Sequence, residues 1–472
     1  MKRILFIALL SPLLFLSFFA QAQSARDNDQ VFFKVRRLFN EHKADSIYQM
    51  TGEGFRKHVD SASFMSVSEE KLYPLGTIQE ADFMTYRSGV SSYKVTYGAM
   101  TLEMLIGVDK EGKIEALAFK QYLKAVDDKD YVVATSNPLQ TDFEKQLDTV
   151  ARQYISKVNT VGLAIGILKE GKVQFYAYGE TEKGNRKLPN EGSIFEIGSI
   201  TKTFTATLLA YYVNEKKISL SDPIIKYLPD SVAANPQLKG ITILMLSNHT
   251  SGLPRMPENF VQDPADSLDP YKHHTVDLLY SAVKDCTLQS KPGEKYEYSN
   301  FAVALLGNIL EHISQKSFEA MVEEVICKPL LMQHTWQHIP EAQQRDFVRL
   351  YNEDGSPTPA WNFLAFAPAG ALHSNTSDLL LFAKANMQKD RSKLSTAMAL
   401  THKITYSGTP KVALGWHILT TSNQPIYWHN GGTYGSSSYI AFEPSKEIAV
   451  VILSNAAESV DVMALSILRL LQ

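Results

Sequence analysis

Hydrophobic and polar positions change period along this chain, and the changes divide it. From about Val31 to Val59 the apolar residues repeat at helical spacing, with Val31, Val35, Leu38 and Phe39 on one face. Glu53 and Gly54 interrupt that pattern before Phe55. From Ser91 the spacing becomes that of strands. Residues 91–97 and 100–108 are rich in β-branched and aromatic side chains, Asp109-Lys110-Glu111-Gly112 is a turn, and 113–122 is the returning strand. A helix followed by a β-meander predicts a small α+β domain over residues 27–125. Residues 126–141 are polar and contain Asn137-Pro138, which marks a linker.

A second domain is expected over 142–472. Asp142 is placed to cap a helix whose buried stripe is Phe143, Leu147, Val150, Ala151 and Tyr154. Residues 162–168 and 172–178, joined by Lys169-Glu170-Gly171, form a hairpin. Residues 223–288 are helical and loop, with a sharp turn at Thr250-Ser251-Gly252-Leu253-Pro254. Strand patterns return at 412–419, 437–442 and 448–453, and a helix over 459–471 closes the chain. The simplest arrangement joins both ends in one antiparallel sheet flanked by helices, with a helical subdomain between them.

The N-terminus changes the picture of where the protein works. Met1-Lys2-Arg3, an apolar run from Ile4 to Ala20, and Ala20-Gln21-Ala22 read as a secretory signal peptide over residues 1–22. An uncleaved membrane anchor is the rival, opposed by the short run and by Pro12. The expected location is periplasmic or secreted, with no stable membrane insertion after cleavage. Hydrophobic content of 44% and charged content of 21% are ordinary for a globular protein. A net charge of −3 supplies no basic footprint for nucleic acid. Two cysteines, Cys286 and Cys327, are too few for a disulfide framework; they can pair in an oxidising compartment or stay free.

Candidate chemistry begins at Gly198-Ser199-Ile200-Thr201-Lys202. Four Ser-x-x-Lys strings occur, at Ser68/Lys71, Ser91/Lys94, Ser199/Lys202 and Ser281/Lys284, but only Ser199 opens a continuously hydrophobic helix. Three residues return Lys202 to the face of Ser199. In a dry site the lysine amine loses its proton and can take that of the serine. Two further strings complete the set. Tyr298 and Asn300 lie in a turn-rich loop before the apolar helix 301–313, offering a phenol for proton transfer and an amide to join a substrate carbonyl and Lys202. His429-Asn430-Gly431-Gly432 precedes a strand. Its glycines let a substrate approach the backbone closely, and the N–H groups of Gly432 and Ser199 can form an oxyanion hole.

In this order, Ser199-x-x-Lys202, Tyr298-x-Asn300 and His429-x-Gly431 resemble the three motifs of the serine β-lactamase and penicillin-binding-protein superfamily. The similarity is greatest to the branch of class C β-lactamases, D-alanyl-D-alanine carboxypeptidases and related esterases. Phe195-Glu196-Ile197-Gly198-Ser199, His249-Thr250-Ser251-Gly252-Leu253-Pro254, Pro292-Gly293 and Pro368-Ala369-Gly370 support it. The resemblance spans 142–472 and implies the β-lactamase/transpeptidase-like fold. It implies catalytic roles for Ser199 as nucleophile, Lys202 as proton acceptor and Tyr298 as general base and shuttle, with Asn300, His429, Gly431 and Gly432 binding substrate. His429 stands where many relatives carry lysine, which turns the expectation from β-lactams toward peptides and esters. Residues 27–125 loosely resemble the cone-shaped helix-on-sheet modules appended to exported hydrolases, and are expected to be an accessory module.

The expected function is therefore an exported serine hydrolase acting on D-amino-acid peptides, amides or esters, with a small-molecule or peptide substrate. No cofactor or metal is expected: His334 and His338 have i,i+4 spacing, but no Glu follows His334 as in a zinc protease. The alternative is a non-catalytic sensor of penicillin or peptidoglycan fragments on the same fold. Gly-x-Ser-x-Gly is absent, so the α/β-hydrolase elbow does not apply.

Overall fold

The computed structural model describes residues 25–87, 89–98, 100–122, 133–260, 268–421 and 424–472. The expected signal peptide and residues 126–132 of the expected linker lie outside them. The chain forms two compact units, residues 1–124 and 125–472.

In the first unit, helices α1 (Ala25–Asn40), α2 (Ala44–Gln49), α3 (Glu53–His58) and α4 (Ser61–Val67) precede a four-stranded antiparallel meander. Its strands are β1 (Ile78–Arg87), β2 (Val90–Tyr97), β3 (Thr101–Val108) and β4 (Ile114–Gln121). Phe32 of α1 stacks on Tyr93 of β2 with ring centres 3.7 Å apart. Asn28 pins the same helix to the sheet, donating to Ser91 Oγ at 3.1 Å and accepting from the Val108 N–H at 3.1 Å. Two expectations change. The helical stretch from Val31 is broken at His42, whose φ is +55°, and Glu53-Gly54 open a helix rather than interrupt one. Strand β1 was not expected, because its apolar residues neither alternate regularly nor form a run.

The second unit is built on a seven-stranded antiparallel sheet. The chain enters it through α5 (Asp142–Ile155) and the hairpin β5 (Gly162–Lys169) and β6 (Lys172–Gly179). The cap of α5 is Thr141 rather than Asp142. Its side chain accepts from the Glu144 N–H, while the Glu144 carboxylate accepts from the Thr141 N–H. Next come β7 (Phe195–Glu196), α6 (Thr201–Asn214), α7 (Val276–Asp285) and α8 (Asn300–Ser314). They are followed by β8 (His373–Ser374), α9 (Thr376–Met387) and α10 (Lys393–Thr401). Strands β9 (Lys411–Val412), β10 (His417–Thr421), β11 (Gln424–Gly432), β12 (Ser437–Glu443) and β13 (Ile448–Ser454) then lead to α11 (Asp461–Leu471).

The strand order is β9-β10-β11-β12-β13-β5-β6, so the two ends of the unit meet where β13 pairs with β5. Strands β12 and β13 are buried on both faces because helices cover both. Leu147, Tyr154, Ile467 and Leu471 of α5 and α11 pack on one face. Phe204 and Leu208 of α6, Leu305 and Ile309 of α8, and Leu379 and Phe382 of α9 pack on the other. Helix α6 is buried almost all round, as its continuous apolar run requires. The motif His429-Asn430-Gly431 precedes the strand expected after it, β12, and is itself the end of a strand that was not expected, β11.

Candidate active site

Ser199 sits where a short strand turns into a buried helix. Strand β7 pairs with β8, and Gly198 at φ +49° turns the chain through a single 3-10 turn into α6. Lys202 then lies one turn on, with Nζ hydrogen-bonded to Ser199 Oγ at 2.9 Å and donating to the Ala369 carbonyl at 2.6 Å. That carbonyl is fixed because Thr205 Oγ1 donates to Pro368 O at 2.7 Å and the Leu372 N–H donates to Thr201 Oγ1. Lys202 is 2% exposed. Burial, and secondarily the charge of Arg255, hold its proton affinity well below the usual lysine range and favour the neutral amine.

The loop carrying Tyr298 is stitched to the turn at 249–255. Ser299 Oγ donates to Pro254 O at 2.7 Å and caps α8 by accepting from the Ala302 N–H. The Ser299 N–H donates to His249 Nδ1 at 3.2 Å, and the Asn300 N–H donates to Arg255 O at 3.0 Å. These bonds hold the Tyr298 phenol toward Ser199, with Lys202 Nζ 4.9 Å from the ring centre. Burial raises the phenol's proton affinity, and the nearby Ser199 hydroxyl and Arg255 offset it only in part, so the resting group is the neutral phenol rather than the phenolate. Asn300 is not joined to Lys202. Its amide N–H donates to Tyr271 Oη at 3.1 Å, and its buried Oδ1 has no hydrogen-bond partner.

His429, Gly431 and Gly432 lie on the part of β11 that continues past its pairing with β10, which ends at Trp428. Gly431 is required by contact: a Cβ there would lie 2.1 Å from Ile197 O. His429 is 1% exposed, with ring centres 5.1 Å from His417 and 6.4 Å from Tyr298. Its Nδ1 meets Asn430 O at 2.6 Å. Burial first, then the neighbouring His417 and Lys202, hold its proton affinity far below that of free histidine. It is a neutral imidazole.

Three residues at this site were given no role from sequence, although His249 opens one of the supporting strings. His249 packs tilted against Tyr298 with ring centres 4.5 Å apart, and His417 is hydrogen-bonded to Tyr296 Oη at 2.9 Å. Arg255 places its guanidinium 5.0 Å over the Tyr298 ring. His249 and Arg255 flank the Thr250–Pro254 turn, which was the only signal available for either. The other Ser-x-x-Lys strings have local uses: Ser68 Oγ donates to Phe64 O, Ser91 Oγ accepts from Asn28, and Ser281 lies in α7. Both cysteines are free and buried, and burial pushes the Cys286 thiol up to about 11. Among the described residues no helix is long and apolar enough to cross a membrane, and no group of three or more His, Cys, Asp or Glu could hold a metal ion.

A serine hydrogen-bonded to a buried lysine of lowered proton affinity, with a phenol beside them, is an arrangement suited to nucleophilic attack. The family model described as Beta-lactamase matches residues 147–472. The chain belongs to the beta-lactamase family. It is similar to a beta-lactamase of Pseudomonas fluorescens, with 28% identity over 352 residues, covering 67% of this chain and 94% of that protein. It is also similar to Protein flp of Staphylococcus aureus (strain MW2), 28% identical over 330 residues, 67% of this chain and 64% of that one. Among solved structures, a beta-lactamase/D-alanine carboxypeptidase from Pseudomonas syringae aligns with a TM-score of 0.62 at 25% identity. That match covers 70% of this chain and 99% of the other. A class C beta-lactamase aligns with the same TM-score and identity. The mixed architecture with its antiparallel sheet is thus that of the class C β-lactamase fold, and the protein is a serine hydrolase of this family.

Proposed function

We propose that this hydrolase is exported and forms a Ser199 acyl-enzyme with D-amino-acid peptides, amides or esters. The observation that carries the reading is the 2.9 Å contact between Ser199 Oγ and an amine whose proton affinity burial holds well below the usual lysine range. The Lys202 amine takes the hydroxyl proton as Oγ attacks the substrate carbonyl. The N–H groups of Ser199 and Gly432 receive the developing oxyanion. The Tyr298 phenol gives its proton to the leaving group and recovers one from the water that hydrolyses the acyl-enzyme, while Lys202 returns its proton to Ser199 Oγ as the acyl bond breaks. Asn300 offers its unpartnered Oδ1 to an N–H of the substrate.

His429, standing where many relatives carry lysine, supports peptides and esters over β-lactams. Export rests on the N-terminal pattern of residues 1–22. In this reading 142–472 carry the chemistry, 126–141 link, and 27–125 are an accessory or substrate-positioning module.

A side-by-side turnover assay tests the substrate class. Nitrocefin, an acyl-D-Ala-D-Ala peptide and a p-nitrophenyl ester are offered to wild type and to Ser199→Ala. The peptide or the ester turns over faster than nitrocefin, and Ser199→Ala turns over none. Faster nitrocefin hydrolysis, or turnover retained in Ser199→Ala, contradicts the reading. Labelling of Ser199 by penicillin without turnover of any substrate would favour the sensor.

A further inference from the structure

Glu196 lies on β7, three residues before Ser199, and is buried. It takes no part in the proposed proton transfers, yet its carboxyl holds two other segments. Oε2 accepts from Thr433 Oγ1 at 2.5 Å, and Oε1 accepts from the Trp361 N–H at 2.8 Å. Burial raises its proton affinity to about 7, and the charge of Asp269 adds to the rise. Burying an acid costs stability unless its oxygens are hydrogen-bonded, and these two bonds offset that cost.

Thr433 directly follows Gly432, whose N–H is the proposed oxyanion donor. Its hydroxyl also accepts from the Gly435 N–H at 3.1 Å, and its own N–H donates to Ser436 O at 3.1 Å. It is the fixed point of the turn between β11 and β12. Strand β7 pairs with β8 rather than with this hairpin, so side chains make the joint. Ser436 Oγ donates to Glu196 O at 3.0 Å, and Ser438 Oγ donates to Ile197 O at 2.8 Å. Glu196 completes the set from the opposite side. Its other oxygen secures Trp361, whose ring meets Tyr434 edge-on at 4.6 Å. Asp269 secures the next residue, accepting from the Asn362 N–H at 2.8 Å and from Asn362 Nδ2 at 2.7 Å.

We propose that Glu196 is a positioning residue: its carboxyl clamps the turn after Gly432 to the strand that leads into Ser199, and so sets the spacing of the two oxyanion donors. This rests on the proposed acyl-transfer function. The ionised acid accepts from both partners. The protonated acid still accepts from Trp361 and donates to Thr433 Oγ1, whose own hydroxyl turns to Ser436 Oγ at 3.2 Å. The clamp therefore holds in either protonation state, and an amide reproduces it.

Hydrolysis of p-nitrophenyl acetate is measured for wild type, Glu196→Gln, Glu196→Met, Thr433→Val and Glu196→Met/Thr433→Val. A loosened oxyanion donor lowers kcat, so Glu196→Met and Thr433→Val each lose about tenfold. The double variant loses no more than Glu196→Met alone, because both changes break one bond. Glu196→Gln stays within about threefold of wild type, which a loss of general packing would not allow Thr433→Val to mimic. Losses that multiply in the double variant, a Gln variant as impaired as Met, or wild-type kcat in Thr433→Val overturns the inference. Should Glu196→Met fail to fold, Thr433→Val and Glu196→Gln carry the test. Covalent labelling of wild-type Ser199 by a fluorophosphonate is read in parallel. Labelling with kcat indifferent to Glu196 and Thr433 removes the clamp alone, whereas no labelling removes the acyl-enzyme reading and the clamp with it.

Discussion

Gly198 and Gly432 meet backbone to backbone: a Cβ on Gly198 would lie 2.7 Å from the Gly432 nitrogen and 3.0 Å from its oxygen. The turn before α6 is therefore pressed against the end of β11, and the two elements proposed to supply the oxyanion donors are set by one contact. Gly198→Ala adds a clash with backbone, which cannot move aside cheaply, to a φ of +49° that itself costs about 1–2 kcal/mol. The variant folds with a Tm lowered by a few degrees, but kcat/KM falls by about 10²-fold. Normal kinetics would show that the spacing of 198 and 432 is irrelevant to catalysis.

Lys202 has two polar partners and little water, so replacing it separates chemistry from stability. In Lys202→Met the apolar core around α6 accepts the side chain, and thermal unfolding moves by only a few degrees. Acylation, followed as release of p-nitrophenol in a single turnover, slows by 10²–10⁴-fold. A loss of less than tenfold would mean that another group takes the Ser199 proton.

Tyr298→Phe keeps the ring beneath Arg255 and beside His249 while deleting the hydroxyl that reaches Ser199. Turnover falls by about 10²-fold or more, with the circular dichroism spectrum unchanged. Near-normal turnover would remove the phenol from proton transfer.

Much of this site was legible because its motifs are short and local. Ser199 and Lys202 are one helical turn apart, and a continuous apolar run announced that their helix is buried. The order of Tyr298 and His429 placed them in the same constellation. What stayed hidden depends on three-dimensional neighbours. His417 and His429 come together only because β10 pairs with β11, and Gln424-Pro425 and Gly431-Gly432 gave the ends of β11 the look of turns. Arg255 carries no periodic signal: its position comes from bonds its own backbone makes to the 299–301 segment. The capping residue of α5 moved by one position because Thr141 and Asp142 are both good caps, and Glu144 stands three residues after Thr141, completing its capping box. In the first unit, Ile78 is the one buried residue of β1 among its described side chains, and the strand lacked an apolar run to mark it.

Buried neutral histidines make the folded state sensitive to acid. His373, His402 and His417 are each brought from 6.5 to about 4 by burial. The unfolded chain therefore binds more protons than the folded one between those values. The stability these groups contribute is complete above pH 6.5 and is lost as pH falls through 4, up to roughly 3 kcal/mol per group. Glu196, raised to about 7 by burial, acts in the opposite sense, contributing below 4.5 and losing that contribution as pH rises through 7. His249, His274 and His429 are lowered as well, and Glu311, Asp378 and Asp461 raised, so six histidines stand against four carboxylates and the acid sensitivity prevails. Urea unfolding shows stability falling from pH 6.5 to 4, and His402→Gln, remote from Ser199, falls less steeply. A flat profile, or an equal slope in His402→Gln, would contradict the assignment.

The central claim is that Ser199 is the residue acylated, and intact-protein mass spectrometry tests it most directly. Wild type incubated with a fluorophosphonate or a penicillin gains the mass of one covalent adduct, mapped by peptide sequencing to Ser199. Ser199→Ala gains none. An adduct of equal yield in both proteins, or one that maps to any other residue, would contradict the account.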